Sequence, residues 1–267
     1  MPNKNLFKQA LAAGQVQIGL WSAFTSPYVT EMLGGSGYDW VMLDTEHSPN
    51  DVPQVMAQLQ AIDAAQQPRP TSAVVRPAWN DHVLIKRYLD VGAQTLLIPF
   101  VQNAQEAQAA VDAMRYAPAG IRGMGGSTRA SNFGRDTAYI AGAQQELCLL
   151  VQVETKEALN EIEAIAALDG VDGIFIGPAD LSASMGYPGQ PRHPEVDAAI
   201  NDAIRRIRKA GKAPGILMVD ETRARECIAL GAQFVAVSMD LILLRTAADA
   251  VAAKFKDSSG AVVQTSY

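Results

Sequence analysis

The sequence predicts a (β/α)8 barrel that forms a single domain, and three observations support this fold class. Eight short apolar runs alternate along the chain with segments of helical periodicity. Runs such as residues 149–151 and 174–176 are continuously apolar, which is typical of parallel strands buried on both faces. The 267 residues contain no segment that resembles a linker, and barrels of about 250 residues commonly form one domain. We expect the barrel to span residues 1–256 and a polar tail to span 257–267.

The predicted strands follow the apolar runs in chain order. They cover residues 16–21, 40–44, 73–76, 95–98, 147–153, 171–176, 215–218 and 234–237. Helical spacing predicts helices around residues 27–33, 52–62, 81–91, 104–115, 136–145, 159–166, 194–210, 221–230 and 244–255. The segment Ser48-Pro49-Asn50-Asp51 is expected to open the second helix, with proline at its first position. A long connection, residues 117–135, is rich in Gly, Arg and Ser, and such connections are usually functional or mobile.

An open doubly wound sheet is the alternative to the barrel. A dinucleotide-binding fingerprint in such a sheet should follow the first strand and open a helix. The glycine cluster Gly123-Met124-Gly125-Gly126 instead lies in the middle of the chain, within the long connection. The sequence therefore favours the barrel.

Composition narrows the range of partners. The net charge is −6 and the basic residues are scattered, so nucleic acid is not expected as a partner. No apolar run reaches membrane-spanning length, and residues 1–5 do not resemble the start of a signal peptide. Cys148 lies in an apolar run and Cys227 in a helical pattern, which favours two free thiols in a reducing compartment. We therefore expect a cytoplasmic protein with no membrane partner.

Polar and ionisable residues are concentrated where the predicted strands end. In chain order these strand ends provide Trp21, Asp44, Glu46, His47, Arg76, Gln152, Glu154, Asp180, Ser238 and Asp240. Barrel active sites are assembled at the C-terminal ends of the strands. The sequence therefore predicts one polar mouth at that end of the barrel.

Glu154 and Asp180 each follow an apolar strand and are the candidate metal ligands. Hard divalent cations take a few carboxylates and fill their other positions with water and substrate oxygens. The sequence has no cysteine cluster or paired-histidine motif that would suggest zinc. An alternative interpretation makes Asp180 a helix-start acid and Glu154 a solvated loop residue. The pattern alone leaves both interpretations open.

His47 and Arg76 are the candidate catalytic residues at this mouth. His47 lies three residues after Asp44, and an imidazole there can act as a general acid or base. The other interpretation of His47 is a loop residue that caps the next helix. Arg76 ends a buried strand, where its guanidinium either stabilises an oxyanion or forms an internal ion pair with a neighbouring acid.

Asp90 is predicted to lie in the last turn of its helix, where a negative charge opposes the helix dipole. Such a residue is either simply exposed or serves a partner elsewhere, which can be another subunit.

Lys156 is the lysine nearest to the mouth, so it is the candidate for an alternative Schiff-base lyase chemistry. Two other functions stay open on pattern alone. One is a phosphate-handling isomerase that uses the 123–127 loop as an anion cradle, and the other is a binding protein without turnover.

Several longer segments resemble the HpcH/HpaI aldolase family. These segments are Leu43-Asp44-Thr45-Glu46-His47-Ser48-Pro49-Asn50, Val75-Arg76-Pro77, Tyr116-Ala117-Pro118-Ala119-Gly120-Ile121-Arg122-Gly123, Val151-Gln152-Val153-Glu154 and Gly170 to Ser182. The resemblance extends over residues 14–255. It implies a metal-dependent class II aldolase that cleaves 4-hydroxy-2-oxo acids to pyruvate and an aldehyde. It also implies a barrel whose last helix is exchanged between subunits, in homohexamers built as trimers of dimers.

The resemblance also implies roles for individual residues. Glu154 and Asp180 would bind Mg²⁺, Mn²⁺ or Co²⁺. Gln152 and the backbone of Ala179 would hold the substrate, with Asp180, Arg76 and Trp21 beside it. His47 would accept a proton and Arg76 would stabilise the transition state. Asp90 would raise the basicity of His47 from the adjacent chain, and Asp44 belongs to the same catalytic group.

The sequence departs from the family pattern at two places. Thr45 occupies a position where family members often have glycine. The segment Gly125-Gly126-Ser127-Thr128 differs from the commonest sequence of the family at this place. Both departures bear on which aldehyde the enzyme uses. Members that act on 4-hydroxy-2-oxoheptanedioate resemble the sequence most, and those that act on 2-dehydro-3-deoxyglucarate or 2-keto-3-deoxy-rhamnonate are close competitors. The sequence does not determine the aldehyde, the native metal or the pathway.

Overall fold

A computed structural model describes residues 4–65 and 70–256 of the chain. Its eight strands pair in sequence order and close into one parallel barrel. They are β1 (Gln17–Ser22), β2 (Trp40–Asp44), β3 (Ser72–Arg76), β4 (Thr95–Ile98), β5 (Cys148–Val153), β6 (Gly173–Ile176), β7 (Ala213–Leu217) and β8 (Phe234–Met239). The predicted fold class is confirmed, and each strand lies where an apolar run predicts it. The predicted polar tail, 257–267, lies outside the described residues.

Twelve α-helices occur within the described residues. They are α1 (Leu6–Ala12), α2 (Pro27–Gly34), α3 (Val52–Ala64), α4 (His82–Asp90), α5 (Ala104–Met114), α6 (Tyr139–Glu146), α7 (Lys156–Leu159), α8 (Ile162–Ala166), α9 (Pro178–Ser184), α10 (Pro194–Lys209), α11 (Glu221–Leu230) and α12 (Asp240–Phe255). None of these helices combines the length and the apolar character that a membrane span requires. The long connection after α5 contains a short 3-10 turn at Arg129–Ser131.

The predicted opening of the second helix is wrong. That helix, α3, begins at Val52 with Asp51 as its N-cap residue. Ser48 does not cap the helix, because its hydroxyl donates a hydrogen bond to the backbone oxygen of Asp44. The side chain of Asn50 donates to the same oxygen at 2.9 Å. Residues 45–51 therefore fold back over the end of β2 and form a turn that carries Glu46 and His47.

Aromatic side chains close the N-terminal end of the barrel. Phe7 of α1 packs edge-on against Trp40 and Phe234, with ring centroids 5.9 and 6.0 Å apart. The Trp40 ring fills the space that a side chain at position 19 would need, since a Cβ on Gly19 would lie 2.1 Å from it. The α1 helix that supplies Phe7 is absent from the sequence prediction. This aromatic layer leaves the other end of the barrel as the open mouth.

The two-residue period of the strands places the candidate residues inside that mouth. Met42, Val74 and Leu150 belong to the apolar cluster inside the barrel. Asp44, Arg76 and Gln152 lie two positions further along the same strands and are buried as well. Because side chains two residues apart point to the same face of a strand, these polar groups form the next layer toward the C-terminal end.

Candidate active site

Arg76 and Asp44 form the floor of the mouth. The guanidinium donates from Nε to Asp44 Oδ1 at 2.8 Å and from Nη2 to Asp44 Oδ2 at 2.7 Å. Trp21 adds a third donor, since its indole Nε1 lies 3.2 Å from Asp44 Oδ2. The Trp21 ring also stacks under the guanidinium, whose central carbon lies 4.6 Å from the ring centroid. The internal ion pair considered for Arg76 from the sequence is therefore present.

The Asp44 carboxylate is charged at neutral pH because of these donors. Burial alone would raise its pKa, but the hydrogen bond and the positive charge of Arg76 outweigh burial and lower the pKa. Breaking a buried pair of this kind leaves an uncompensated charge and costs about 3–5 kcal/mol.

Glu46 is the second carboxylate that contacts Arg76, and its Oε2 lies 2.6 Å from Arg76 Nη1. Burial is the largest influence on this side chain and raises the pKa of Glu46 despite the nearby positive charge of Arg76. His47 follows on the same turn, with Nε2 3.9 Å from Glu46 Oε2. The His47 side chain is 68% exposed, so its imidazole is open to a molecule that enters the mouth.

Glu154 lies just beyond β5 and is buried, with a hydrogen bond to each carboxylate oxygen. Oε2 accepts from Gln152 Nε2 at 2.6 Å, and Oε1 accepts from the backbone N–H of Phe100 at 2.9 Å. Burial raises the pKa of Glu154 to about 7, and the nearby carboxylates of Asp180 and Glu46 add to this effect. The sequence alternative in which Glu154 is a solvated loop residue is wrong, because 2% of the residue is exposed.

Asp180 and Ala179 lie in the first turn of α9 and are exposed at the mouth. The Asp180 carboxylate is close enough to Glu154 to raise the pKa of that carboxyl group. Gly177 caps the same helix and leaves room for Glu154, since a Cβ at position 177 would lie 2.5 Å from Glu154 Oε2. The loop after β6 is therefore shaped around the Glu154 carboxylate.

These residues fit a divalent cation. The negative charge of Asp180 adds to the raised pKa of both Glu154 and Glu46, and that of Glu46 also acts on Glu154, so a cation among these three carboxylates would relieve their repulsion. Gln152 Oε1 is buried and has no hydrogen-bond partner among the described residues. No group of three or more His, Cys, Asp or Glu side chains in residues 4–65 and 70–256 is arranged as a complete metal cage. Two carboxylates with other positions left to water and substrate oxygens suit Mg²⁺ and Mn²⁺.

Asp90 has a partner on its own chain. It is the last residue of α4, and its Oδ1 accepts a hydrogen bond of 2.9 Å from Arg122 Nη2. The Arg122 side chain is fully buried, and its guanidinium stacks 4.5 Å from the ring centroid of Tyr116. This pairing explains how a carboxylate is tolerated at the C-terminal end of a helix. The predicted role of Asp90 toward His47 is not decided by this contact and stays a prediction.

Lys156 lies in the first turn of α7 and is exposed. A Schiff-base lysine needs a desolvated environment that lowers its pKa, and an exposed side chain lacks one.

Thr45, the departure from the family pattern, is buried and joins β2 to β3. Its hydroxyl donates to the Arg76 backbone oxygen at 2.7 Å and accepts from the Tyr88 hydroxyl at 3.0 Å.

The structure adds two residues that the sequence analysis does not single out. Glu46 is named only as one of several strand-end residues, and its contact with Arg76 depends on the fold-back of residues 45–51. Phe100 contributes a backbone N–H, which no side-chain pattern can reveal. Its φ of +53° is in the left-handed region, where a bulky residue is strained by about 1–3 kcal/mol.

Comparison with known proteins identifies the family of the chain. The family model of HpcH/HpaI aldolase/citrate lyase matches residues 17–247. The chain is 58% identical over 252 residues to the 4-hydroxy-2-oxo-heptane-1,7-dioate aldolase of Klebsiella pneumoniae, with 94% of each chain covered. It is 57% identical over 251 residues to the pyruvate aldolase of Rhizobium etli, covering 94% of this chain and 97% of that relative.

Solved structures give the same assignment. The crystal structure of an HpcH/HpaI aldolase/citrate lyase family protein from Burkholderia cenocepacia superimposes with a TM-score of 0.89 at 39% identity, covering 93% of this chain and 98% of that one. The HpcH/HpaI aldolase of Desulfitobacterium hafniense gives a TM-score of 0.85 at 27% identity, covering 94% and 96%. The barrel, the mouth residues and the extent of the match lead to one conclusion: the chain belongs to the HpcH/HpaI aldolase/citrate lyase family.

Proposed function

We propose that this chain is a carbon–carbon lyase, a metal-dependent pyruvate aldolase that reversibly cleaves 4-hydroxy-2-oxo acids to pyruvate and an aldehyde. The observation that carries the proposal is the grouping of charges at the mouth. The carboxylates of Glu154 and Glu46 lie near that of Asp180, and the Arg76 guanidinium contacts Glu46. The printed names of the two relatives, a 4-hydroxy-2-oxo-heptane-1,7-dioate aldolase and a pyruvate aldolase, support the same reaction class.

Glu154 and Asp180 would hold the divalent cation, which is Mg²⁺, Mn²⁺ or Co²⁺ on the basis of oxygen ligands alone. When bound, such a cation supplies Lewis-acid stabilisation to the negative charge of the pyruvate enolate. Gln152 Nε2 donates to Glu154 Oε2, and Gln152 Oε1, which is buried and has no hydrogen-bond partner among the described residues, would contact the substrate. The backbone of Ala179, an exposed residue at the start of α9, would complete the proposed substrate contacts.

His47 is the proposed general base. In the cleavage direction it takes the proton of the C4 hydroxyl, the C4 oxygen becomes the aldehyde carbonyl, and the C3–C4 bond breaks. The electron pair of that bond passes into the enolate of pyruvate, and a proton added at C3 then gives pyruvate. The exposed imidazole of His47 can reach a substrate in the mouth, as this step requires.

Arg76 is the proposed donor to the oxyanion that develops on the substrate. Its two hydrogen bonds to Asp44 use two of the five N–H groups that a guanidinium carries, and Nη1 lies 2.6 Å from Glu46 Oε2 as an ion pair. The remaining N–H groups can donate to the substrate, and the buried fork with Asp44 fixes their direction. A preorganised donor of this kind acts without rearrangement during the reaction.

Asp90 is proposed to act on His47 across a subunit boundary, while Arg122 holds its carboxylate in place.

The helix α12 supports an oligomer in which the last helix is exchanged. Apart from Asp240, Ile242 and Phe255, every residue of this 16-residue helix is exposed. The exposed residues include Leu241, Leu243, Leu244 and Val251. A homohexamer built as a trimer of dimers would cover this apolar surface.

A cytoplasmic location is part of the proposal, because Cys148 and Cys227 are both free and buried, as expected in a reducing compartment.

The proposed reaction is tested by coupling pyruvate release to a lactate dehydrogenase assay. The substrates are 4-hydroxy-2-oxoheptanedioate, 2-dehydro-3-deoxyglucarate and 2-keto-3-deoxy-rhamnonate, and the expected result is the highest kcat/KM on the first of them. Borohydride with pyruvate serves as the control for Schiff-base chemistry and is expected to leave Lys156 unmodified. Absence of pyruvate from all three substrates would contradict the proposal, and so would a trapped adduct on Lys156.

A further inference from the structure

Phe100 has an unusual backbone conformation beside the candidate metal ligand. Its φ of +53° is in the left-handed region, which bulky residues rarely adopt. The residue follows the buried Pro99 at the end of β4, and 39% of it is exposed. Strained backbone of this kind persists only where the surrounding structure enforces it, and it is concentrated at functional sites.

The left-handed turn at Phe100 directs two successive N–H groups toward the end of β5. The N–H of Phe100 donates to Glu154 Oε1 at 2.9 Å, and the N–H of Val101 donates to the Gln152 backbone oxygen at 2.9 Å. In a regular strand, successive N–H groups point to opposite sides, so a straight continuation of β4 could not make both bonds. The conformation of Phe100 therefore gives Glu154 its second hydrogen bond.

A ring stack supports this conformation. The Phe100 ring lies against the Trp79 indole, with centroids 5.8 Å apart and an interplanar angle of 28°. Both loops that carry these rings are fixed to Glu106 of α5. Asn80 Nδ2 donates to the Glu106 backbone oxygen at 2.9 Å, and the N–H of Gln102 donates to Glu106 Oε2 at 2.8 Å. The stack thus joins two loops that hydrogen bonds to Glu106 already hold in place.

We propose that Phe100, held in its left-handed conformation by the stack on Trp79, is a positioning residue for Glu154. The inference rests on the proposed function, because the orientation of Glu154 matters for the cation that Glu154 and Asp180 would hold. With Phe100 N–H on Oε1 and Gln152 Nε2 on Oε2, the carboxylate has one orientation. Loss of such a supporting hydrogen bond typically weakens metal binding by about 10–100-fold.

The first test distinguishes the effect of the Phe100 backbone conformation on metal binding from the effect of its phenyl ring. In Phe100→Val the β-branched residue disfavours positive φ, whereas Phe100→Asn removes the ring but tolerates that region. The dissociation constant of Mn²⁺ is measured by isothermal titration on metal-free protein. We expect Phe100→Val to weaken Mn²⁺ binding about tenfold or more and Phe100→Asn to change it less than about threefold.

The second test addresses the stack and uses a matched control. Trp79→Ala should weaken Mn²⁺ binding, and Trp79→Phe should restore most of the affinity because a ring remains to stack on Phe100. Phe133 provides the control, since it also has a positive φ, +57°, and is exposed, but its N–H donates to the Thr128 backbone oxygen within the long connection and not to Glu154. Phe133→Val should lower the melting temperature without changing the Mn²⁺ affinity.

A readout on metal-free protein completes the test. Hydrogen exchange of the peptide that contains the Phe100 amide should be faster in Trp79→Ala than in Trp79→Phe. Equal Mn²⁺ affinity and equal exchange in wild type, Phe100→Val and Trp79→Ala would overturn this inference alone. Wild-type protein that binds no Mn²⁺ would overturn the proposed function, and this inference with it.

Discussion

The Arg76 guanidinium and the Asp44 carboxylate form a buried fork at the barrel mouth, with parallel hydrogen bonds of 2.8 and 2.7 Å. The two residues are register partners on β2 and β3, so the barrel itself aligns them. This pair fixes the direction in which Arg76 presents its remaining N–H groups.

The fork makes the stability of the protein dependent on pH. The pKa of Asp44 is lowered from 3.8, so the fork stabilises the folded state fully above about pH 4 and less as the pH falls through the folded pKa. We expect Asp44→Asn to lower the free energy of unfolding by about 3 kcal/mol at pH 7. Denaturant unfolding at fixed protein concentration should show this difference shrinking below about pH 4. A difference that is constant from neutral to acid pH would contradict the role of the fork.

Arg76→Lys should lower kcat/KM by about 10²-fold or more, because an ammonium group cannot reproduce two parallel bonds to Asp44 and a fixed donor to substrate. Steady-state pyruvate release measures the effect. Arg206→Lys is the matched control, since Arg206 makes the same bidentate contact with Glu163 on the outside of the barrel. Retained activity in Arg76→Lys would reduce Arg76 to a structural ion pair.

His47→Ala should lower kcat by about 10²–10⁴-fold, the usual effect of losing a general base. The fold should be unaffected, because the imidazole is exposed and its described ionic contact is with Glu46 at 3.9 Å. The kinetic assay is repeated with His82→Ala, another exposed histidine, which should behave like wild type. A near-wild-type rate in His47→Ala would remove His47 from the mechanism.

A charge on the apolar surface of α12 should dissociate the proposed oligomer. Leu244 is 58% exposed, so Leu244→Lys is expected to leave the barrel folded but to reduce the mass measured by light scattering. The adjacent exposed Arg245, changed to Ala, serves as the control and should keep the wild-type mass. Unchanged mass in Leu244→Lys would argue against subunit contacts through this helix.

Most of the barrel could be predicted because buried parallel strands leave a strong signal in sequence. The bounds of β2 and β4 coincide with the predicted runs, and Asp44, Arg76 and Gln152 lie inside the mouth as the strand ends imply. The seven-residue helix α1 was not predictable by periodicity, since only Phe7 and Leu11 are buried on it. The opening of α3 was mispredicted because the Ser48 hydroxyl bonds to Asp44 rather than to the helix.

The contacts within the site were harder to predict from the sequence, because they depend on the three-dimensional fold. The contact of Glu46 with Arg76 depends on how residues 45–51 fold back, which no local pattern encodes. The pairing of Asp90 with Arg122 joins residues 32 positions apart. The support that Glu154 receives from Phe100 comes from a backbone group, and its conformation runs against the preference of the residue. Contacts of this type become visible only in three dimensions.

We propose that cleavage depends on a divalent cation held by Glu154 and Asp180, and removal of the metal is the decisive test of this dependence. Purified protein is treated with EDTA, dialysed, and assayed for pyruvate release from 4-hydroxy-2-oxoheptanedioate before and after addition of Mg²⁺, Mn²⁺ or Co²⁺. Activity should fall to background and return with at least one of the three cations in wild type, but not in Glu154→Gln. Full activity of the EDTA-treated wild type would mean that cleavage needs no bound cation.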